Sequence, residues 1–365
     1  MKPGASMNRI PSTLVAGVLT SVALLPIIAI ALLVRGIALA ISGLARTMEP
    51  AYTPWRDLMT YDPFLGWKPR PNLSAHYYAD NDDVFQLETD KEGWPGRCSV
   101  EEADIVAIGD SFSFGYGTDS KHAFFSLNPT LRVKPVGAPG YSMVHGVLIM
   151  EHLGHQLHGK RVVWMTYPEN DLQDNLVPNM RLYRAPFLRP SADRTSWEIA
   201  SEHLSPEPWT ASQTISRQTM LAAFCVPGPI AERAYSASEW LLRRAHALCQ
   251  EHGAQLEVIS VPHRILLTDA GRAKLASLTT TPDAVDPSLP DQRLGAVCAQ
   301  LRVPFVAGRD VFKFSDYKDR EGIHWNRRGH RRMAELLQRI PGLRREDERD
   351  SAEHKFINAE GPRPA

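Results

Sequence analysis

The chain has 365 residues, 43% of them hydrophobic, which is enough to bury the core of one large domain or two smaller ones. Lysine and arginine together number 41, and so do aspartate and glutamate. This balance leaves no basic excess, so composition argues against a nucleic-acid-binding protein.

An uncharged apolar run near the N-terminus covers residues 12–34 (STLVAGVLTSVALLPIIAIALLV). Its 23 residues are enough to cross a bilayer as one helix, and more than a cleaved signal peptide usually has. We therefore expect residues 1–46 to form a single-pass membrane anchor. Positive charges are nearly balanced across the run, but long soluble domains translocate largely regardless of charge, so we expect the rest of the chain to be extracytoplasmic.

Residues 47–103 contain scattered aromatic residues, prolines and turn formers without a helical period. We expect them to form an extended strap that packs on the main domain, with a strand at 84–87. At the other end, residues 342–365 are charged and end in proline-rich sequence, which is typical of a disordered tail.

Between residues 104 and 341, short runs rich in valine and isoleucine alternate with helical stretches. Such runs are typical of strands buried on both faces of a parallel sheet. The expected strands are IVAI (105–108), VKPV (133–136), RVVWMTY (161–167), LEVISV (256–261) and VPFVA (303–307), and the expected helices are 142–157, 236–252, 291–301 and 326–340. The alternation predicts an α/β fold, a three-layer doubly wound parallel sheet that binds ligands at the carboxyl ends of its strands.

One segment, 174–234, is rich in proline, serine, arginine and aromatic residues but has no clear period. We expect it to be an insertion that covers substrate at the carboxyl edge of the sheet. Arg181, Tyr183, Arg184 and Trp209 are candidates for a carbohydrate platform, and ordinary packing and solubility explain them equally well.

A serine follows the first predicted core strand directly, in IVAIGDSFSFG, where Ser111 falls at the carboxyl tip. A serine hydroxyl is a poor nucleophile unless a base takes its proton and a third group orients that base. The best candidate base is His324 in EGIHWN, just before the last helix, and Glu321 three residues earlier can orient it. The sequence therefore predicts a serine nucleophile with a distant histidine base.

Two further polar positions follow predicted strands. Gly140 lies in VGAPGY after the second strand, where a residue without a Cβ lets a backbone N–H face a site. Asn170 lies in YPENDLQDN after the third strand, and its side-chain amide can donate to a developing negative oxygen.

Metal binding is not favoured by any pattern. The four cysteines lack zinc-ligand spacing, and Cys249 and Cys298 lie on apolar helical stretches, where buried thiols are expected. His152, His155 and His158 recur at helical spacing, which is more often a solvated face than a metal site. We therefore expect no metal and no cofactor.

Together these segments resemble the SGNH/GDSL hydrolase superfamily over about residues 104–340: Gly-Asp-Ser in the first block, glycine in the second, Asn-Asp in the third and a late histidine. The resemblance implies a flavodoxin-like sheet with Ser111 as nucleophile and His324 as general base and then acid. It also implies an oxyanion hole made by the backbone N–H groups of Ser111 and Gly140 and the side chain of Asn170.

The chain departs from that pattern at three places. Glu321 stands where the superfamily usually has aspartate, so Asp316 or Asp319 could take the orienting role instead. Glu169 stands where glycine often precedes Asn-Asp, and we expect its carboxylate to point away from the oxyanion. Pro135 stands where an asparagine is common.

The sequence thus predicts a membrane-anchored serine esterase or O-acyltransferase that acts on ester-linked acyl groups. The strap and the segment 89–97 (TDKEGWPGR) resemble membrane-anchored members found with bacterial cell-surface polysaccharide genes, so an acylated polysaccharide is the expected substrate. The alternative is a non-catalytic module of the same fold that binds glycan or partner proteins in a polysaccharide assembly complex, since Glu321 and Glu169 are changes that a degenerate site would show. The enzyme is favoured because the sequence contains Ser111, Gly140, Asn170 and His324 together. A phosphate-binding P-loop is excluded because the pattern GxxxxGK[ST] is absent.

Overall fold

The computed structural model of the protein describes residues 52–79, 83–178, 183–207, 216–319 and 323–339. All of them belong to one compact unit. The predicted anchor (1–46), the predicted tail (342–365) and Glu321 lie outside the described residues. Every helix within those ranges is too short or too polar to span a bilayer.

The described residues form twelve strands and eight α-helices, besides short 3-10 turns. The strands are β1 (Tyr52–Pro54), β2 (Met59–Asp62), β3 (Gly66–Pro69), β4 (Ser74–Tyr78), β5 (Val84–Glu88), β6 (Ile105–Gly109), β7 (Val133–Gly137), β8 (Arg161–Thr166), β9 (Phe187–Pro190), β10 (Trp197–Ala200), β11 (Gln255–Ser260) and β12 (Phe305–Ala307). The helices are α1 (Ser111–Phe114), α2 (Met143–Leu153), α3 (Pro168–Asp174), α4 (Arg217–Phe224), α5 (Pro229–Glu251), α6 (Asp269–Ala276), α7 (Leu289–Leu301) and α8 (Arg327–Arg339).

A five-stranded parallel sheet forms the centre of the molecule, in the order β12-β11-β8-β6-β7. All five strands expected from the valine- and isoleucine-rich runs are present, which confirms the mixed α/β architecture. Counted along the chain, the order is 2-1-3-4-5, the flavodoxin-like arrangement, and it reverses between β6 and β8. Ligand crevices in such sheets open at the carboxyl ends of the two strands where the order reverses.

Successive strand residues point to opposite faces of the sheet, and each face is covered. Val106 and Ile108 of β6 belong to a core shared with α2, α5 and α7, whereas Ile105 and Ala107 belong to a second core that includes Met333 of α8. Burying each of the valine, isoleucine and methionine side chains stabilises the fold by roughly 1.5–3 kcal/mol. The sheet between two helical layers is therefore a rigid support for the loops at its carboxyl edge.

The described part of the segment before the core, residues 52–103, forms two small sheets, β1-β4-β5 and β2-β3. Trp67 of β3 is fully buried against the core, and its Nε1 donates to Pro139 O at 3.2 Å. The hydroxyl of Tyr141 donates back to Trp67 O at 2.5 Å. These two bonds hold the chain on both sides of Gly140.

The insertion 174–234 has more regular structure than its sequence predicted. It contains the antiparallel hairpin β9–β10 and helix α4, while Arg181 and Trp209 lie outside the described residues. The ring of Tyr183 packs edge-on against Tyr61 at 5.6 Å, and Arg184 Nη1 donates to His203 O at 3.5 Å. The described members of the predicted carbohydrate platform therefore make ordinary packing contacts.

Candidate active site

Ser111 follows β6 after one intervening residue and begins α1. Asp110 caps this helix, because its Oδ1 accepts from the N–H of Phe112 at 2.9 Å. The strand can end here only because Gly109 has no side chain: a Cβ would lie 2.7 Å from Met165 O on the neighbouring strand. Ser111 is thereby held nearly buried at the carboxyl tip of β6, with 8% of its surface exposed.

His324 lies directly beside Ser111 although 213 positions separate them in sequence. Its Nε2 is 2.8 Å from Ser111 Oγ, the distance of a hydrogen bond. The imidazole ring packs between Phe112 and Tyr116, with ring centroids 5.4 and 4.8 Å away, and it too is 8% exposed. The structure thus brings together the two residues that the sequence predicts as nucleophile and base.

The third member of the predicted triad has no counterpart among the described residues. Glu321 lies outside them. Asp316 is fully buried, but its Oδ2 accepts from Arg332 Nε at 2.7 Å and from the Lys313 N–H at 2.8 Å. Asp319 is exposed at the surface. Asp316 is therefore committed to another partner, and Glu321 stays a prediction.

Gly140 and Asn170 converge on the same edge of the sheet. Gly140 follows β7 and has φ +86°, a left-handed conformation in which an L side chain is strained. The next residue, Tyr141, accepts at its carbonyl oxygen from Asn170 Nδ2 at 2.8 Å. Asn170 lies in the first turn of α3, just after β8. The side chain of Asn170, a predicted oxyanion donor, thus links the segments that follow β7 and β8 through this hydrogen bond.

Arg217, at the start of α4, is a site residue that the sequence analysis missed. Its Nη1 donates to Asn170 Oδ1 at 2.5 Å, and its Nη2 pairs with Asp174 Oδ2 at 2.9 Å. Burial lowers the pKa of this guanidinium, but the charge and hydrogen bonds of Asp174 outweigh burial and raise it. No local pattern distinguishes Arg217 from the other arginines of the insertion, because its position depends on how the insertion folds.

Glu169, which replaces the usual glycine, is buried beside Asn170. Its Oε2 accepts from the Tyr167 hydroxyl at 2.7 Å, and its Oε1 lies 3.6 Å from His263 Nε2. Burial lowers the pKa of His263, and the charge of Glu169 acts in the opposite direction. His263 was also missed, although its place directly after the fourth core strand could have predicted it.

One carboxyl group next to Asn170 has a strongly shifted pKa. Asp171 is buried, and burial together with the charge of Asp110 raises its pKa well above the ordinary range. The Tyr167 N–H, which donates to Asp171 Oδ2 at 2.7 Å, and the charge of Arg217 act in the opposite direction. The carboxyl edge of the sheet therefore contains polar groups whose ionisation is strongly perturbed, as is common at functional sites.

The remaining candidates for metal binding are dispersed. His152, His155 and His158 are exposed, and the described ranges contain no cluster of three or more histidine, cysteine or acidic side chains placed to hold a metal ion. All four cysteines are described and are free thiols, with Cys249 and Cys298 buried as expected.

Comparison with solved structures finds similarities of low sequence identity. TesA is 13% identical with a TM-score of 0.37, covering 64% of this chain and 95% of TesA. An inhibitor-bound aryl esterase from M. smegmatis is 12% identical with a TM-score of 0.36, covering 64% and 97%. A GDSL-like lipase from Bacteroides thetaiotaomicron is 13% identical with a TM-score of 0.33, covering 66% and 88%.

No family model matches the chain, and no curated protein does. Identities of 12–13% and TM-scores of 0.33–0.37 are too low to assign an activity. The assignment of function therefore depends on the site geometry.

Proposed function

We propose that this chain is a serine esterase or O-acyltransferase of the SGNH/GDSL type, with Ser111 as nucleophile and His324 as general base. The observation that carries the proposal is the 2.8 Å contact between Ser111 Oγ and His324 Nε2 at the carboxyl edge of the sheet. A nucleophile and a base at hydrogen-bond distance are what acyl transfer through a serine requires. Gly140 and Asn170 at the same edge supply candidate oxyanion donors.

In the proposed reaction, Ser111 Oγ attacks the ester carbonyl carbon while His324 Nε2 takes the hydroxyl proton. Negative charge develops on the carbonyl oxygen, and donors from Ser111, Gly140 and Asn170 stabilise it. The C–O bond of the leaving alcohol then breaks, and His324 returns the proton to that oxygen. An acyl-enzyme remains, which water or an acceptor hydroxyl attacks by the same steps in reverse order.

Hydrolysis and transfer share these residues and differ only in the acceptor of the acyl group. We propose a cell-surface carbohydrate ester as the substrate and an extracytoplasmic location behind a single-pass anchor. The apolar run 12–34 and the resemblance of residues 89–97 to membrane-anchored members of the superfamily support this part.

The test uses the full chain in detergent with a chromogenic acetyl ester at neutral pH. We expect wild-type protein to release the chromophore and Ser111→Ala and His324→Ala each to lose about 10⁶-fold in kcat, because neither half of the pair works alone. Ser113→Ala is the matched control, since Ser113 is a buried serine of the same short helix. It should retain activity.

Thermal unfolding of each variant checks that the fold is intact. Folded wild-type protein that neither releases the chromophore nor reacts at Ser111 with a fluorophosphonate probe would contradict the proposal and favour the non-catalytic module.

A further inference from the structure

Arg217 bridges two side chains of one helix, and one of them is the proposed oxyanion donor. Asn170 and Asp174 are four residues apart on α3, so they share a face. Arg217 donates to Asn170 Oδ1 at 2.5 Å and to both carboxylate oxygens of Asp174, at 3.3 and 2.9 Å. The Asp174 side chain is 1% exposed and that of Arg217 is 16% exposed. The bridge is therefore largely removed from water, where hydrogen bonds to charged groups are strong.

The two partners of the Asn170 amide determine its orientation. A guanidinium has donors only, so it can bond only the amide oxygen, and a carbonyl oxygen can bond only the amide nitrogen. Arg217 therefore requires Oδ1 on its side, and Tyr141 O, at 2.8 Å from Nδ2, requires the nitrogen on the other. Reversing the amide would break both bonds and place an acceptor where a donor is needed.

Stability of α4 does not explain an arginine at this position. Arg217 is the first residue of α4, directly after the N-cap Ser216, whose hydroxyl accepts from the Thr219 N–H. A cation in the first turn opposes the helix dipole and is unfavourable by itself. The arginine instead makes its hydrogen bonds to side chains of another helix, α3.

We propose that Arg217 is a positioning residue for catalysis, which fixes and polarises the Asn170 amide so that its Nδ2 donates to the oxyanion. An amide whose oxygen accepts from a cation is a stronger donor at its nitrogen, because hydrogen bonds in a chain polarise one another. The insertion therefore contributes to the reaction through α4 and does more than cover the substrate. This inference rests on the proposed function.

A double-mutant cycle on the full chain tests the inference. We expect Asn170→Ala to lower kcat on the acetyl ester by about a hundredfold, the usual cost of one oxyanion donor. Arg217→Met should lower kcat by roughly tenfold with KM changed less than about twofold, because only part of the donor's effect is lost. In the Asn170→Ala background, Arg217→Met should lower kcat by less than about twofold, since the residue it acts through is absent.

Two further variants separate positioning from simple charge neutralisation. Arg217→Lys keeps a cation beside Asp174 but lacks the planar fork that reaches both partners, so it should unfold near the wild-type temperature yet lose kcat like Arg217→Met. Arg309→Met is the matched control: Arg309 Nε pairs with Asp291 at 3.0 Å, and no described contact links it to Asn170. Its kcat should stay within about twofold of wild type.

The inference would be overturned if the double variant lost kcat by the product of the two single losses, or if Arg217→Lys kept the wild-type kcat. Either result would leave the esterase proposal standing. Absence of Ser111-dependent release and probe labelling in folded wild-type protein would refute the proposed function and this inference with it.

Discussion

At the amino end of the central sheet, Arg161 and Glu257 form a two-bond ion pair, whereas the carboxyl end carries a cluster of buried carboxyl groups. Arg161 is the first residue of β8, and its Nε and Nη2 donate to the two carboxylate oxygens of Glu257 on β11 at 2.7 and 2.5 Å. Both side chains are about 5% exposed. The charges cancel within the pair, so this end of the sheet needs no ligand to complete it.

The carboxyl end has more acidic side chains among the described residues. Asp110, Glu169, Asp171 and Asp174 are all buried there, and Arg217 pairs with Asp174. Burial and the charge of Asp110 raise the pKa of Asp171. The same sheet thus has one end where a buried pair satisfies its own charges and one end where the ionisation of a buried carboxyl is perturbed, as is common at functional sites.

Among the variants that test this comparison, the largest effect is expected from Glu321, the residue proposed to complete the triad. Glu321→Ala should lower kcat by roughly 10⁴-fold, about a hundredfold less than Ser111→Ala, because an orienting carboxylate is less critical than nucleophile or base. Steady-state kinetics on the acetyl ester checks this. Asp319→Ala tests the other acid that the sequence allows in this role and should stay near wild type, since Asp319 is exposed. Equal losses in Glu321→Ala and Ser111→Ala would make the graded assignment wrong.

At the amino end, the expected effect is on stability alone. Arg161→Met should lower the free energy of unfolding by about 3–5 kcal/mol, because Glu257 would remain buried without its partner. The urea midpoint measures this loss, and the double variant Arg161→Met/Glu257→Leu should recover most of it by replacing the pair with apolar packing.

Activity per folded molecule should be unchanged in both of these variants. A loss of kcat that remains after correction for the folded fraction would show that the two ends of the sheet are coupled. It would contradict the expectation that the amino end affects stability alone.

The strands and helices of the core could be predicted because each is marked by a pattern within a short stretch of sequence. The runs IVAI and LEVISV are short, apolar and rich in β-branched residues, and they became β6 and β11. Helix α8 was predicted from helical spacing, and Met333 and Leu337 are indeed fully buried. Periodicity identifies strands but not their neighbours, so the strand order could not be predicted in this way, and only the family resemblance implied a flavodoxin-like sheet.

The missed parts of the site depend on distant contacts. Ser111 and His324 were found because each lies in a local setting that suits its role. Arg217 could not be recognised in this way, because it is a site residue only through its hydrogen bond to Asn170, 47 positions away, which forms once the insertion has folded. The hairpin β9–β10 was missed for another reason: Ser191 and Asp193 in its turn are typical hairpin signals that were read as irregular sequence.

The smallest effect concerns Asp171, whose pKa is raised by burial and by Asp110. Below about pH 4 this carboxyl is neutral in both folded and unfolded chains, so it costs nothing. As pH rises above that value the unfolded chain ionises first, and stability is lost progressively up to the raised pKa of the folded state. Asp171→Asn removes the ionisation and can keep the bond from the Tyr167 N–H.

We therefore expect Asp171→Asn to raise the unfolding temperature by a few degrees at pH 7 and by much less at pH 4. Thermal unfolding at both values measures the difference, with the exposed Asp283→Asn as a control that should show no such dependence. An equal shift at both pH values would mean that the folded chain does not raise the pKa of Asp171. A larger shift at pH 7 would instead mean that the folded chain keeps Asp171 protonated at a pH where the unfolded chain has ionised it.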